Sequence, residues 1–164
     1  MKEHKILEGA FTWVPMDKRT DRLGLPVAPR KPDLRRPILW IARKDSEVYL
    51  VNASDETLDV VTADSGGVLT VDDDVLPLAN KSLYHYVGVV PGAAVKVEEY
   101  HENYDSDYIL GLYLRVQSKG LGCIEIAPGL KKGGIGETVL LWDSGEVGHS
   151  VSIKPCASDS IGEQ

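Results

Sequence analysis

The sequence predicts an all-β protein, a sandwich of about nine or ten antiparallel strands preceded by an extended arm. The chain has 164 residues, and its hydrophobic content of 43% and charged content of 26% are ordinary for one folded domain. After residue 37, short runs rich in Val, Ile, Leu and Tyr recur, and most end at a cluster of turn-forming residues. No window of about 11–18 residues repeats its apolar positions with the period of a helix.

The predicted strands follow one another closely along the chain. They cover residues 38–43, 48–53, 57–63, 68–71, 83–90, 94–100, 108–116, 123–127, 138–143 and 147–153. Pro-Gly pairs at 91–92 and 128–129 end two of these runs. The last two runs flank Ser144-Gly145-Glu146, a spacing that predicts a hairpin.

The run 108–116 shows the clearest alternation of side chains. One face carries Tyr108, Leu110, Leu112, Leu114 and Val116, and we expect it to line the core. The other face carries Asp107, Ile109, Gly111, Tyr113 and Arg115. The mixture of polar groups on this second face predicts that it lies on the outside of the sandwich.

The rhythm of strands and turns in VYLVNASDETLDVV, VVPGAAVKVEE and YILGLYLRV resembles that of immunoglobulin-like sandwiches. The resemblance is one of pattern, covers roughly residues 38–127, and lacks the Cys…Trp…Cys signature of true immunoglobulin domains. It implies an immunoglobulin-like arrangement of strands, with a jelly-roll-like sandwich as the alternative. A sandwich by itself implies no function.

Charge and proline content divide the chain into an arm at 1–37, a sandwich domain at 38–154 and a C-terminal tail at 155–164. Residues 1–37 carry nine basic and five acidic side chains, a net charge of +4, whereas residues 38–164 carry nine basic and twenty acidic ones, or −11. Five prolines between residues 15 and 37 exclude a helix there and favour an extended arm. We expect this arm to pack on an acidic surface of its own body or of a sister subunit rather than on nucleic acid. The candidate binding residues of the arm are Arg30, Lys31, Arg35 and Arg36, and for these residues nucleic acid stays open as the alternative partner.

The net charge of −7 disfavours a nucleic-acid binder, because such a protein needs cations to displace the counterions of the phosphates. The chain has no apolar segment of the length that crosses a membrane, and its N-terminus has no apolar core of a signal peptide. These features predict a cytoplasmic protein that does not associate with membranes. In a reducing compartment we expect Cys123 and Cys156 to be free thiols.

An acidic segment at 98–107 contains five carboxylates and one imidazole. Such groups bind Ca²⁺ or another divalent metal, and the candidate ligands are Glu99, His101, Glu102, Asp105 and Asp107. The spacing is not that of an EF-hand. A solvated acidic loop without any cofactor is the alternative, and we prefer it.

Two histidines and two tyrosines of the later strands are candidates by position. Alternation places His85 and His149 on apolar faces, where a histidine is either a hydrogen-bonded core residue or a ligand. Tyr84 and Tyr86 share the face opposite His85. If exposed, they offer a patch for a protein or glycan partner, and otherwise the arm or a second subunit covers them, which we prefer.

The sequence carries no G-x-S-x-G nucleophile elbow and no phosphate-binding loop. We therefore predict a non-catalytic interaction module that acts through protein–protein contacts and forms homo-oligomers. The alternative is a sandwich that binds a carbohydrate or a small molecule. A metal-dependent hydrolase that uses the 98–107 loop is the third hypothesis.

Overall fold

The computed structural model describes residues 4–15, 23–25, 34–71, 74–77, 81–99, 109–128, 130–132 and 135–156. These residues form twelve β-strands in two antiparallel sheets and contain no helix, so the all-β prediction is confirmed. Within the same residues there is accordingly no helix long and apolar enough to cross a membrane.

The first sheet has five strands. In spatial order they are β1 (Ile6–Glu8), β7 (Ala93–Glu99), β3 (Glu47–Asn52), β2 (Pro37–Lys44) and β11 (Thr138–Trp142). β2 and β3 form a hairpin, and β7 joins β3 after the chain has passed through the other sheet.

The second sheet has seven strands. Five of them lie in the order β12 (Ser152–Pro155), β9 (Gly122–Ala127), β8 (Ile109–Ser118), β4 (Leu58–Val71) and β5 (Asp74–Pro77). The first half of β4 also pairs with β6 (Lys81–Val89), and the start of β8 pairs with β10 (Leu130–Lys132).

The core fills the space between the two sheets. Leu50 and Val95 come from the first sheet and Val61 and Ile126 from the second, and each is at most 1% exposed. The inward face predicted for 108–116 is confirmed where the structure describes its side chains, since Leu112, Leu114 and Val116 are buried. Burial of apolar side chains on both inner faces is what holds two sheets together.

A second apolar cluster lies on the outer face of the five-stranded sheet, where residues 7–13 cover it. Phe11 packs against Tyr49 and Trp40, with ring centroids 5.3 and 6.5 Å apart. Trp13 meets Trp40 at 5.4 Å and Trp142 at 5.8 Å, both edge to face. Residues 7–13 therefore pack on this sheet, and they leave Trp40 only 3% exposed.

Charged groups beside this cluster tie the arm to the sheet. The Lys96 ammonium is 1% exposed and lies 2.7 Å from Glu99 Oε1 and 3.3 Å from Glu47 Oε2. Lys5 Nζ donates a 2.6 Å hydrogen bond to Glu47, and the Tyr49 hydroxyl donates to its other oxygen. Burial alone would lower the pKa of Lys96, but its bonds to Glu99 and Glu47 outweigh burial and raise it.

The prediction of free thiols is wrong, because Cys123 and Cys156 form a disulfide. β12 pairs with β9 in antiparallel register, with Pro155 opposite Ile124, and this register brings the two cysteines to a Cα–Cα distance of 5.5 Å. The Cys156 amide also donates a hydrogen bond to the carbonyl of Cys123. The disulfide therefore fastens the end of an edge strand.

The hairpin predicted for residues 138–153 forms only at its turn, where Leu141 and Val147 are bridged and the amides of Trp142 and Gly148 donate to the carbonyls of Glu146 and Leu140. The prediction that the two strands pair along their length is wrong, since β11 and β12 belong to different sheets. The chain then crosses at Gly148, where an added Cβ would collide with the Val139 carbonyl, so only glycine fits. The crossing carries the chain from one sheet to the other within a few residues.

Candidate functional site

The two tyrosines predicted as a binding patch lie inside the sandwich. Tyr84 is 1% and Tyr86 is 5% exposed, and their rings stack on the core side of β6. The His4 ring packs against both, with centroids 5.3 and 4.9 Å away. Residues of the arm thus help to cover them. Burial raises the pKa of both hydroxyls, and Tyr84 Oη has no hydrogen-bond partner among the described residues.

The two histidines predicted to face inward are exposed instead. His85 points outward because Tyr84 and Tyr86 take the inward positions of β6. The alternation of inward and outward side chains is interrupted at Gly88, whose φ of 69° is one that glycine adopts readily. Val87 and Gly88 are therefore both exposed, and Val89 is buried again. His149 lies in the turn after Gly148 and is exposed as well.

The basic residues of the arm are described in part. The Arg35 guanidinium lies 4.2 Å from the centre of the Trp142 ring and 3.4 Å from Glu146. Arg36 pairs through its main chain with Asp143. Arg30 and Lys31 lie outside the described residues.

The metal ligands predicted in the acidic segment remain a prediction. Glu99 is described and pairs with Lys96, while His101, Glu102, Asp105 and Asp107 lie outside the described residues. In the part of the chain that the structure describes, no three His, Cys, Asp or Glu side chains are grouped to hold a metal ion.

Among the described residues, a depression on the outer face of the seven-stranded sheet offers a site for a ligand. We call it the outer groove, and it has a volume of about 660 Å³. Outward side chains of four adjacent strands line it, with Val60, Thr62 and Asp64 from β4, Tyr113, Arg115 and Gln117 from β8, Glu125 and Ala127 from β9, and Ser152 and Lys154 from β12. Alternation along each strand is what places them all on one face.

A row of polar side chains crosses the middle of the outer groove. Thr62 is registered with Arg115, Arg115 with Glu125, and Glu125 with Lys154. Arg115 donates a 2.9 Å hydrogen bond to Glu125, and both side chains are about one-third exposed. The row thus presents donors and an acceptor side by side over four strands.

Asp64 and Tyr113, registered with each other, form one end of the outer groove. Tyr113 is 41% exposed. Asp64 Oδ1 is buried and has no hydrogen-bond partner among the described residues. An aromatic ring beside an unsatisfied carboxylate oxygen is suited to a ligand with both an apolar face and hydroxyl or amino groups.

Reasoning from sequence did not single out this site. Tyr113 and Arg115 were placed on the outward face, but the partners that Asp64, Glu125 and Lys154 supply come from other strands. The sequence does indicate one outward face, because in the strand 109–118 Tyr113, Arg115 and Gln117 alternate with buried aliphatic residues. Which outward side chains of the different strands form one surface can be deduced only when the order of the strands in the sheet is known.

Comparisons of this chain with protein-family models, with curated proteins and with solved structures found no match.

Proposed function

We propose that the chain is a non-catalytic binding module that holds a carbohydrate or another polar small molecule in the outer groove. The observation that carries the proposal is the groove itself, whose volume of about 660 Å³ lies in the range of known ligand sites. Its lining offers hydrogen-bond donors and acceptors from four paired strands of one sheet.

The shape of the outer groove favours a ligand over a second copy of the chain at this surface. Two copies that met here about a two-fold axis would both be hollow at the contact and would enclose a void. Protein–protein interfaces are packed as tightly as protein interiors, which such a void prevents. A ligand that fills the depression avoids this loss.

Chemical-shift mapping tests the proposal. We would titrate ¹⁵N-labelled protein with a set of monosaccharides, amino acids, carboxylic acids and nucleosides. We expect at least one class to shift the amides of Thr62, Tyr113 and Glu125. The proposal is overturned if no class moves these amides at millimolar concentration.

A variant that fills the outer groove supplies the control. Gln117→Trp places a bulky ring in the depression without removing a core side chain, and it should abolish the shifts. Lys119→Trp adds the same ring at an exposed position outside the groove and should leave them intact. Equal shifts in both variants would mean that the ligand binds elsewhere.

Protein–protein contact, including self-association, is the second candidate. It is favoured by two exposed apolar side chains at the end of β6, Val87 at 72% and Val90 at 43% exposure. Light scattering at high concentration should then show a homodimer that Val87→Asp dissociates. A single monomeric species for the unchanged protein removes homo-oligomerisation from consideration.

We infer further that the sandwich is of the immunoglobulin-like type rather than the jelly-roll type. Supporting this, β2, β3 and β7 pair in the manner of strands A, B and E. β6, β4, β8 and β9 lie side by side in the manner of C′, C, F and G. A crystal structure in which β3 and β7 are not neighbours would exclude this assignment.

We also propose that the protein works in an oxidising compartment rather than in the cytoplasm expected from sequence. The support is the disulfide between Cys123 and Cys156, since such bonds persist mainly outside reducing compartments. Mass spectrometry of protein from its native source, alkylated before lysis, would decide. Alkylation of both cysteines would overturn the proposal.

A further inference from the structure

The outer groove extends over several neighbouring strands of the sheet. It crosses β4, β8, β9 and β12, and neighbouring strands lie about 4.8 Å apart, so its length is roughly 14 Å. A pyranose unit in a linear chain advances by about the distance between one strand and the next. The groove therefore has room for about three sugar units in a row.

The charges that line the outer groove cancel. Asp64 and Glu125 supply two carboxylates, and Arg115 and Lys154 supply two cations. The phosphate groups of a nucleotide or a nucleic acid are anionic, and they would face both carboxylates at close range. A neutral ligand is not repelled by the carboxylates.

The alternation of donors and acceptors suits hydroxyl groups. Arg115 and Lys154 donate only, Asp64 and Glu125 accept only, and Thr62 does both. A sugar hydroxyl also donates and accepts, so neighbouring hydroxyls match this sequence of groups. An extended peptide would instead pair its main chain with the free edge of a sheet, and the groove lies on a sheet face.

From these observations we propose that the outer groove binds a neutral linear oligosaccharide, about three sugar units long, that lies across the strands with one ring stacked on Tyr113. This inference rests on the proposed function and names its ligand class. The exposed Tyr113 ring provides the apolar platform for the C–H face of a sugar. Asp64 stands beside it as an acceptor for a hydroxyl of the same unit.

Calorimetry with oligosaccharide ladders tests the proposal. We would use gluco-, xylo-, manno- and chito-oligosaccharides of one to six units with the full chain. In at least one series the affinity should rise up to three units and then stay constant. A series of uronic acid oligomers should bind more weakly than the best neutral series.

Variants of Tyr113 separate stacking from hydrogen bonding. Tyr113→Ala should lower the affinity about tenfold or more, and Tyr113→Phe should keep it within about threefold. Thermal unfolding of each variant shows whether the fold is retained. Because Tyr113 is exposed, we expect both to unfold as the unchanged protein does.

The outcomes distinguish the two proposals. If small molecules shift the groove amides but no oligosaccharide series binds, the oligosaccharide proposal is wrong and the proposed function stands. If neither oligosaccharides nor small molecules perturb the groove, both are wrong. Binding that is independent of chain length, that favours acidic sugars, or that survives Tyr113→Ala unchanged also overturns the oligosaccharide proposal.

Discussion

The hydroxyl of Tyr86 donates a 2.6 Å hydrogen bond to the main-chain carbonyl of Lys96, and so it joins the two sheets of the sandwich. Tyr86 lies on β6 of one sheet and Lys96 on β7 of the other. The same hydroxyl accepts a hydrogen bond from the Lys5 amide, and the Lys5 carbonyl accepts one from the Lys96 amide. One buried phenol thereby connects both sheets and the arm.

Tyr86→Phe should lower the free energy of unfolding by about 1–2 kcal/mol, because it removes a buried hydrogen bond and leaves the Lys5 amide without this acceptor. Urea denaturation measures the change. Tyr113→Phe is the control, since its exposed ring should tolerate the same loss within about 0.5 kcal/mol. Equal stability of the two variants would show that the bond between the sheets contributes nothing.

The contribution of the Glu47 carboxylate to the free energy of unfolding should depend on pH. The hydrogen bond from Lys5, helped by Tyr49 and Lys96, outweighs burial and lowers the pKa of Glu47 from 4.5 to about 2. Because the folded-state pKa is the lower one, the stabilisation is complete above the unfolded value and is lost as the pH falls from about 5 to 2.

Denaturant unfolding across this pH range checks the prediction against Glu47→Gln. The variant should be less stable at pH 7, and its stability should decline less steeply on acidification. Asp59→Asn is the control, because that side chain is exposed and lies on β4 in the other sheet. Parallel pH profiles for the unchanged protein and Glu47→Gln would contradict the role assigned to Glu47.

Gly148→Ala should destabilise the protein by about 2 kcal/mol or more, because the new Cβ would collide with the Val139 carbonyl, which is main chain and cannot turn aside. Gly136→Ala is a matched control, since a Cβ there meets no atom within 4 Å. Thermal unfolding of the two variants should separate them by several degrees. Equal melting temperatures would exclude the close approach at the crossing.

Local pattern predicted the strands of this protein better than it predicted their faces. In β8, aliphatic and polar side chains alternate strictly, so the inward set of Leu112, Leu114 and Val116 could be read directly. In β6, both sets of alternate residues include apolar or aromatic side chains, and the alternation of inward and outward side chains shifts by one residue at Gly88. The choice between Tyr86 and His85 as the inward residue therefore depends on packing with the other sheet and with the arm.

The candidate site was predicted less well than the fold, and the reason is physical. Arg115 and Glu125 are ten residues apart in sequence and were interpretable as a pair on one hairpin. Asp64 and Lys154 reach the same groove only because β4 and β12 flank that hairpin. The order of strands arises from long-range packing, which alternation along one strand does not encode.

Replacing both cysteines, as in the Cys123→Ser, Cys156→Ser double variant, should lower the free energy of unfolding by about 3–4 kcal/mol. The two cysteines are 33 residues apart, and the estimate is the loop-closure entropy of that separation. Chemical denaturation of the oxidised protein, the reduced protein and the variant measures it. The reduced protein and the variant should agree, and unchanged stability in both would contradict the prediction.

The same change should weaken ligand binding to the outer groove, because the disulfide holds β12, which supplies Ser152 and Lys154. We expect the affinity of the best oligosaccharide to fall several-fold when the disulfide is reduced. Addition of reductant to Gln117→Trp gives the background heat of the measurement. Unchanged affinity on reduction would show that β12 stays in place through its pairing with β9 alone.

Trp13→Ala should loosen the arm from the five-stranded sheet, because Trp13 lies between Trp40 and Trp142 and covers the first of them. We expect a loss of about 1–3 kcal/mol, less than for a fully buried tryptophan because Trp13 is only half-buried. Limited proteolysis should then cleave the N-terminal residues sooner, and Thr12→Ala, at an exposed neighbouring position, should behave as the unchanged protein does. If Trp13→Ala is as stable and as resistant as Thr12→Ala, the aromatic contacts do not hold the arm, and the Lys5–Glu47 ion pair with the main-chain pairing of β1 and β7 must do so.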